Sequence, residues 1–308
     1  MSKSANKKNL ISMANLSTSD LIELIQLAQE LKSDPVSKSN ALKNMDIALI
    51  FAKPSLRTRI SFEVGINQLG GHPITIKMDE ISIGEREDVK DIANVLSRYV
   101  KAIVIRTFEQ EQIELLGKHA SVPVINGLSN DEHPCQVIAD LLTIKEIFNS
   151  FSGLKIAFIG DGNNIANSLL LCAALADMNI AIGCPNTHKP KTKYIEQAKK
   201  INPKIDINIT DNPMDAAKDA HVLYTDTWIS MGQESEQKNR KQSFANYQIN
   251  KNLLKLADKN AIVLHCLPAH KGEEITEDVF EKFSNIIYNQ AENRLHVEKA
   301  ILLKLISE

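Results

Sequence analysis

The chain alternates short apolar, strand-like segments with helix-forming segments along almost its whole length, and this alternation constrains the fold most. The predicted strands are 47–51, 74–76, 102–105, 122–125, 155–159, 180–182, 205–209, 222–225 and 261–264. Strands that are separated by helices pair in parallel, because a parallel crossover needs about a dozen or more residues. The pattern therefore predicts an α/β fold with mostly parallel sheets that helices cover on both faces.

A predicted helix, Pro134–Phe148, ends at a break formed by Ser150–Gly153, after which the alternation restarts. We place a domain boundary there. Residues 1–148 form the first domain, which the C-terminal helix 291–308 completes, and residues 149–290 form the second. A chain of 308 residues suits two domains of ordinary size. We expect two doubly wound parallel-sheet domains joined by interdomain helices, with the active site in the cleft between them.

The composition excludes several classes of function. A net charge of −2 gives no basic footprint for nucleic acid or an anionic membrane. No segment is long and apolar enough to span a bilayer, and the polar stretch 1–8 leads into no apolar signal core. The four cysteines lie far apart without paired spacing, which favours reduced thiols. We therefore expect a soluble, cytoplasmic protein.

The turn between the first strand and the next helix, Ser55-Leu56-Arg57-Thr58-Arg59, carries hydroxyl and guanidinium groups. The first turn of a helix has backbone N–H groups without intrahelical partners and a partial positive charge. Together these donors favour an anion site, for phosphate in particular. The alternative is a capped helix start with two surface arginines. Elsewhere, Arg106 follows the strand 102–105, and Arg294 starts the last predicted helix, 292–306.

Two further segments combine polar groups with a helix start or a strand end. His133 and Gln136 could donate hydrogen bonds to a developing oxyanion, or could flank a capped helix with a buried Cys135. Asp226 follows a predicted strand and could bind a substrate ammonium group or cap its own loop. The polar run 235–243 after it is predicted to be a mobile loop that could act as a lid.

The glycine-rich turn Gly160–Asn164 resembles half of a dinucleotide fingerprint. Its third glycine position holds Ile165, and no acidic residue follows at the expected distance, which argues against NAD binding. Asn164 could instead bind a carboxylate or cap the following helix. Cys266, within His265-Cys266-Leu267-Pro268, could be a nucleophile, a zinc ligand or a lining residue. The spacing of these residues is not that of a closed zinc site, which argues against a metal.

Taken in order, these motifs resemble those of the aspartate/ornithine carbamoyltransferase family. Ser55–Arg59 is similar to its carbamoyl-phosphate motif, with Leu56 replacing the usual Thr. His133–Gln136, His265–Pro268 and Arg294 are similar to further family motifs. Asp226 with Ser230-Met231-Gly232 resembles the ornithine-specific members rather than the aspartate-specific ones. The resemblance runs from the first predicted helix to the last.

The resemblance implies a role for each matching residue. The implied catalytic residues are Arg57, Arg106, His133, Gln136 and Cys266. The implied contacts of carbamoyl phosphate are Ser55, the backbone amide of Leu56, Arg57, Thr58, Ser82, Arg106, His133, Gln136, Cys266, Leu267 and Arg294. The implied ornithine contacts are Asn164, Asp226, Ser230 and Met231. Ser82 aligns with a position that reaches a neighbouring subunit's site, and no metal or cofactor is implied.

The implied reaction transfers the carbamoyl group of carbamoyl phosphate to the δ-amine of L-ornithine, giving L-citrulline and phosphate. It belongs to arginine metabolism, in which a role in arginine biosynthesis and a role in arginine breakdown both stay open, and the implied assembly is a homotrimer or a multiple of trimers. Three alternatives stay open. They are the same fold with another amine acceptor (acetylated ornithine or putrescine), a Rossmann-type dehydrogenase, and a non-catalytic phosphate-sensing protein.

Overall fold

The computed structural model describes residues 9–52, 55–77, 87–229 and 237–306. Its α-helices and β-strands, in chain order, are α1 Thr18–Ser33, β1 Asp46–Phe51, α2 Leu56–Gln68, β2 His72–Lys77, α3 Val89–Tyr99, β3 Ala102–Arg106, α4 Gln110–His119, β4 Val124–Leu128, α5 Pro134–Phe148, β5 Lys155–Ile159, α6 Asn164–Leu175, β6 Asn179–Gly183, α7 Thr192–Ile201, β7 Ile207–Thr210, α8 Pro213–Ala217, β8 Val222–Thr225, α9 Gln237–Phe244, α10 Lys251–Leu256, β9 Ile262–His265 and α11 Glu277–Ile306. Three predicted site residues, Ser82, Ser230 and Met231, lie outside the described residues.

The chain divides into two compact units. The first unit comprises the residues up to Ala139 together with those from Asn293 onwards, and the second unit comprises Asp140–Glu292. Both divisions fall inside helices, α5 and α11, so these two helices run from one unit into the other. Domain boundaries near residues 148 and 290 stay a prediction.

The first unit contains a four-stranded parallel sheet with the order β2-β1-β3-β4. Its central strand β3 is buried at every position, as expected for a parallel sheet with helices on both faces. The chain leaves β1 for β2 on one side and then crosses to β3 on the other. This reversal makes a topological switch point at the carboxyl ends of β1 and β3, where open parallel sheets bind their ligands.

The second unit contains a five-stranded parallel sheet with the order β7-β6-β5-β8-β9. Here the chain proceeds from β5 to β6 and β7 on one side and then to β8 and β9 on the other. The switch point of this sheet therefore lies at the carboxyl ends of β5 and β8. The two sheets confirm the predicted fold class of two doubly wound parallel α/β domains.

The last helix begins earlier than predicted. The helix α11 starts at Glu277 rather than at residue 292, so Arg294 lies well inside it. The buried side chains of Phe280, Phe283 and Ile287 continue its apolar stripe towards the N-terminus, and no glycine or proline interrupts it there. Within the part of the chain that the structure describes, no helix has both the length and the hydropathy of a membrane span.

Candidate active site

The first cluster begins where β1 leads into α2. The N-cap of α2, Ser55, has an extended backbone, and its side chain makes no capping hydrogen bond. At α1, by contrast, the Ser17 hydroxyl accepts a hydrogen bond from the Asp20 N–H in a complete capping box. Because a cap side chain satisfies backbone donors that a helix start otherwise offers to an anion, the arrangement at Ser55 favours the anion-site interpretation. The side chain of Leu56 is 70% exposed.

Thr58, in the first turn of α2, joins two arginines that are distant in sequence. Its buried hydroxyl oxygen accepts hydrogen bonds from Arg106 Nη1 at 3.2 Å and from Arg294 Nη2 at 3.1 Å. Arg294 Nη1 also donates to Gln136 Oε1 at 2.8 Å. The structure thus brings together four residues that the sequence predicted as one site, from α2, β3, α5 and α11.

A β-bulge lies next to the Arg106 position. The parallel register of β3 and β4 passes from Ile105 opposite Asn126 to Arg106 opposite Leu128, so Gly127 is an extra residue on β4. A Cβ atom at Gly127 would lie only 3.3 Å from the Ile105 carbonyl oxygen, which favours glycine there. Bulges beside active sites commonly re-aim a neighbouring side chain, and this one occurs where Arg106 turns towards Thr58.

The imidazole of His133 is buried beside this cluster. Burial and the nearby charges of Arg294, Arg106 and Arg57 hold its pKa well below the ordinary value, so it is neutral at neutral pH. A neutral imidazole offers one N–H donor, which can polarise a carbonyl oxygen without adding a full charge. Burial also raises the pKa of the Cys135 thiol, which therefore stays protonated and packs as a core residue.

The sequence did not indicate Glu298, which lies one turn after Arg294 on α11. Its Oε1 accepts hydrogen bonds from Arg294 Nε at 3.0 Å and Nη2 at 2.6 Å, and both side chains are buried. Burial raises the pKa of Glu298 to about 7, although Arg294 and the Ser61 hydroxyl oppose this rise. The i,i+4 spacing was visible in the sequence, but such pairs usually lie on solvated helix surfaces.

The second cluster lies at the carboxyl ends of β5, β8 and β9 in the second unit. Asp226 is buried, and its Oδ1 accepts hydrogen bonds from Cys266 Sγ at 3.0 Å and the Thr227 N–H at 2.8 Å. Its Oδ2 accepts a hydrogen bond from Asn163 Nδ2 at 2.8 Å. Asp226 and Cys266, which the sequence predicted to share a site, are therefore in direct contact.

Asn163, not Asn164, caps the helix α6. The Asn163 side-chain oxygen accepts hydrogen bonds from the N–H groups of Ile165 at 3.0 Å and Ala166 at 3.3 Å. Asn164 follows this N-cap as the first residue of α6, and its Oδ1 also accepts a hydrogen bond from the Ile165 N–H at 2.9 Å. Its role in binding a carboxylate stays a prediction.

The Gly-x-Gly turn before α6 serves the chain's own backbone. The Gly162 N–H donates to the His188 carbonyl at 2.8 Å, and a Cβ atom at Gly162 would lie 2.3 Å from Pro190 N. This glycine is required because residues 188–190 occupy the adjacent space. In a dinucleotide fingerprint, the pyrophosphate lies close to the backbone of this glycine. Here the protein's own residues 188–190 occupy that position.

His265 is buried and supports the backbone that follows it. Its Nε2 lies 3.1 Å from Glu274 Oε1, and its Nδ1 accepts a hydrogen bond from the Leu267 N–H at 2.9 Å. These partners assign the proton to Nε2. Leu267 has a φ of 59°, a left-handed conformation that costs a non-glycine residue energy and is common at functional sites.

The polar run after Asp226 is not a loop where the structure describes it. Residues 237–244 form the helix α9, so the mobile-loop prediction is wrong for them. The Arg240 Nε donates to the Trp228 carbonyl at 2.7 Å, its Nη2 pairs with Asp161, and its guanidinium lies over the Phe244 ring. The run has the composition of a solvated loop, but one face of it is anchored in the second unit.

One possible metal-ligand group occurs among the described residues, formed by His270, Glu273 and Glu274. Glu273 already accepts from Lys241 Nζ at 2.6 Å, and Glu274 pairs with His265. We therefore assign no metal to this group.

Two doubly wound sheets with polar clusters at their switch points define a class of α/β enzymes that bind small polar molecules. Residues 8–146 match the family model "Aspartate/ornithine carbamoyltransferase, carbamoyl-P binding domain", and residues 152–305 match "Aspartate/ornithine carbamoyltransferase, Asp/Orn binding domain". The chain belongs to the aspartate/ornithine carbamoyltransferase family.

Relatives match over nearly the whole chain. An ornithine carbamoyltransferase from Archaeoglobus fulgidus is 47% identical over 98% of this chain and 98% of its own length. A catabolic ornithine carbamoyltransferase from Thermoplasma volcanium is 44% identical over 98% of this chain and 99% of its own. The crystal structure of an anabolic ornithine carbamoyltransferase from Campylobacter jejuni is 37% identical, with a TM-score of 0.90 over 97% of this chain and 98% of that one.

Proposed function

We propose that this chain transfers the carbamoyl group of carbamoyl phosphate to the δ-amine of L-ornithine, giving L-citrulline and phosphate. The observation that carries the proposal is the convergence of Arg106 and Arg294 on Thr58 at the switch point of the first sheet. Membership of a carbamoyltransferase family supports it and argues against the dehydrogenase alternative.

Carbamoyl phosphate binds the first cluster in this proposal. Ser55, the Leu56 amide, Arg57 and Thr58 hold the phosphate, because the start of α2 combines backbone donors, hydroxyls and a guanidinium. Arg106, which donates a hydrogen bond to Thr58, also contacts the phosphate in this proposal.

The carbonyl group of the substrate is polarised by neighbouring donors. His133 donates from its neutral imidazole, and Gln136, together with Arg294, stabilises the oxyanion of the tetrahedral intermediate. The backbone of Leu267, which His265 fixes, contacts the carbamoyl group.

Ornithine binds the second cluster through Asn164, Asp226, Ser230 and Met231. Its δ-ammonium group has a lysine-like pKa of about 10.4, and attack requires the neutral amine. The carboxylate of Asp226 and the thiol of Cys266, 3.0 Å apart, receive the cationic end and assist the loss of its proton. The amine then forms a C–N bond to the carbonyl carbon, the C–O bond to phosphate breaks, and phosphate leaves. No metal or cofactor takes part in this scheme.

The assembly is proposed to be a homotrimer or a multiple of trimers. Leu56, Ile60 and Val64 are all exposed and repeat every fourth position along α2, which makes an apolar stripe suited to a second copy of the chain. Size-exclusion chromatography with light scattering tests this: a trimer mass or a multiple is expected, and a monomer at micromolar concentration would contradict it.

We further propose that the enzyme works in the cytoplasm in arginine biosynthesis. Restored growth of an arginine auxotroph that lacks the corresponding activity is the expected result. A strain that makes the folded protein and still needs arginine would contradict it.

The direct experiment supplies carbamoyl phosphate with one amine at a time: ornithine, acetylated ornithine, putrescine or aspartate. Carbamoylation is expected with ornithine. A preference for another amine, or ligand binding without phosphate release, would replace the proposal with one of the alternatives.

Arg57 and Arg59 provide matched variants for this assay. Arg57→Gly should lower turnover by orders of magnitude without unfolding the protein, because it removes a guanidinium of the anion site. Arg59→Gly should keep most activity, since Arg59 is more than half exposed and pairs with Glu63. Near-normal citrulline production by Arg57→Gly would show that Arg57 has no such role.

A further inference from the structure

We propose that Glu298 is a positioning residue of the anion site, which orients Arg294 and takes up a proton when a phosphate dianion binds. The inference rests on the proposed function only for the identity of the anion. Glu298 is not among the motif residues to which the family resemblance gives a role.

Glu298 fixes one edge of the Arg294 guanidinium. Its Oε1 accepts from Nε at 3.0 Å and Nη2 at 2.6 Å. The same guanidinium also donates to Thr58 Oγ1 at 3.1 Å and to Gln136 Oε1 at 2.8 Å, the groups predicted to contact the substrate. Because a guanidinium is planar, fixing one edge sets the direction of the donors on the other.

The charged and titratable groups around Glu298 come from several elements. Arg294 on α11 and Cys135 at the start of α5 interact electrostatically with Glu298, while Arg57 on α2 and Arg106 on β3 act together with Arg294 on His133, two residues before Cys135. The Ser61 hydroxyl of α2 also faces the carboxylate. Lys299 Nζ is directed to Gln68 Oε1, at 3.0 Å.

Most of these groups keep their charge near neutral pH. Arginines stay protonated, and the pKa of His133 is lowered and that of Cys135 raised, both chiefly by burial. Glu298 differs, because its buried carboxyl has a pKa of about 7. It can therefore exchange a proton under physiological conditions while it remains bonded to Arg294.

An incoming dianion competes with the Glu298 carboxylate for the same guanidinium. A nearby negative charge favours the protonated acid, so binding raises the pKa of Glu298 and takes a proton from solvent. Affinity for the dianion must then fall as pH rises through about 7. If binding raises this pKa by about one unit, the dissociation constant should be about fivefold larger at pH 8 than at pH 6.

Sulfate is the probe that isolates this effect, because it stays a dianion throughout that pH range. We would measure its binding to the wild-type protein by isothermal titration calorimetry at pH 6, 7 and 8, in buffers of different ionisation enthalpy. Uptake of a fraction of a proton at pH 7 and the weaker binding at pH 8 are expected. Absence of sulfate binding, or binding without proton uptake, would overturn the proposal even if no variant folds.

Two variants test whether Glu298 is the group that takes up the proton when sulfate binds. Glu298→Gln keeps an acceptor oxygen for Arg294 but cannot ionise, so sulfate should bind it without proton uptake and with little pH dependence. Its KM for carbamoyl phosphate should lose the wild-type pH dependence. Glu281→Gln, the same change at an exposed position of α11, should behave as wild type. Proton uptake that persists in Glu298→Gln would overturn the proposal.

The outcome is separable from that of the proposed function. Citrulline formation with pH-independent sulfate binding would refute the role of Glu298 alone. Proton-coupled sulfate binding without citrulline formation would refute the function and leave the role of Glu298 in place.

Discussion

Replacing Glu298 with Gln should make the protein more stable above neutral pH. The pKa of this carboxyl rises from 4.5 to about 7 on folding, chiefly through burial. A raised pKa means that the folded state disfavours the ionised form. The contribution of Glu298 to stability is therefore complete below pH 4.5 and is lost as pH rises through 7. At about 1.4 kcal/mol per pKa unit, the loss amounts to about 3 kcal/mol.

Gln avoids this loss because it stays neutral at every pH. Glu298→Gln should therefore have an unfolding free energy about 3 kcal/mol above wild type at pH 8, and the difference should shrink towards zero near pH 4.5. Urea denaturation followed by circular dichroism at several pH values measures this difference, with Glu281→Gln as the control. A Glu298→Gln protein that is less stable than wild type at pH 8, or a difference that does not vary with pH, would show that folding does not disfavour the ionised form of Glu298.

Three further changes test other parts of the structure. Asp226→Asn should lower kcat/KM for ornithine by about a hundredfold or more, since it removes the charge beside Cys266, and unchanged steady-state kinetics would contradict this. Arg240→Met should destabilise the protein by about 3–5 kcal/mol, because Asp161 then stays buried without its partner. Burial already raises the pKa of Asp161, so this carboxyl is more readily protonated and neutral at pH 5 than at pH 8. Urea denaturation should therefore show that Arg240→Met loses less unfolding free energy at pH 5 than at pH 8. Ser17→Ala should cost about 1 kcal/mol through loss of the α1 cap, measured in the same way.

Local signals predicted much of the fold. The helix Pro134–Phe148 matches the sequence prediction at both ends, because an opening proline and the break at Ser150–Gly153 mark its limits. The three-residue spacing of Ser17 and Asp20 is likewise typical of a capping box, and that capping box is present at the start of α1. These features depend on residues within a few positions of each other.

Predictions were wrong where local signals were ambiguous. Asn163 and Asn164 are both suitable caps, and only the structure shows that Asn163 occupies the N-cap position. The run containing Arg240 looks like a solvated loop, since its anchors Asp161 and Trp228 lie elsewhere in sequence.

The first cluster could likewise be predicted only in part from the sequence. The motif residues were predicted one by one, but their convergence on Thr58 depends on parallel strand order. The burial of Glu298 could not be predicted, because a Glu four residues after an Arg is ordinary on an exposed helix. Its environment depends on side chains from other elements, which a single sequence does not place.

Isotope labelling can follow the direct transfer of the carbamoyl group from carbamoyl phosphate to ornithine. The wild-type protein would receive carbamoyl phosphate labelled with ¹³C at the carbonyl carbon together with unlabelled ornithine, and the products would be followed by NMR. One ureido-labelled citrulline is expected for each phosphate released by the wild-type protein, and Arg57→Gly should form neither product at a comparable rate. Phosphate release without label in citrulline would contradict direct transfer.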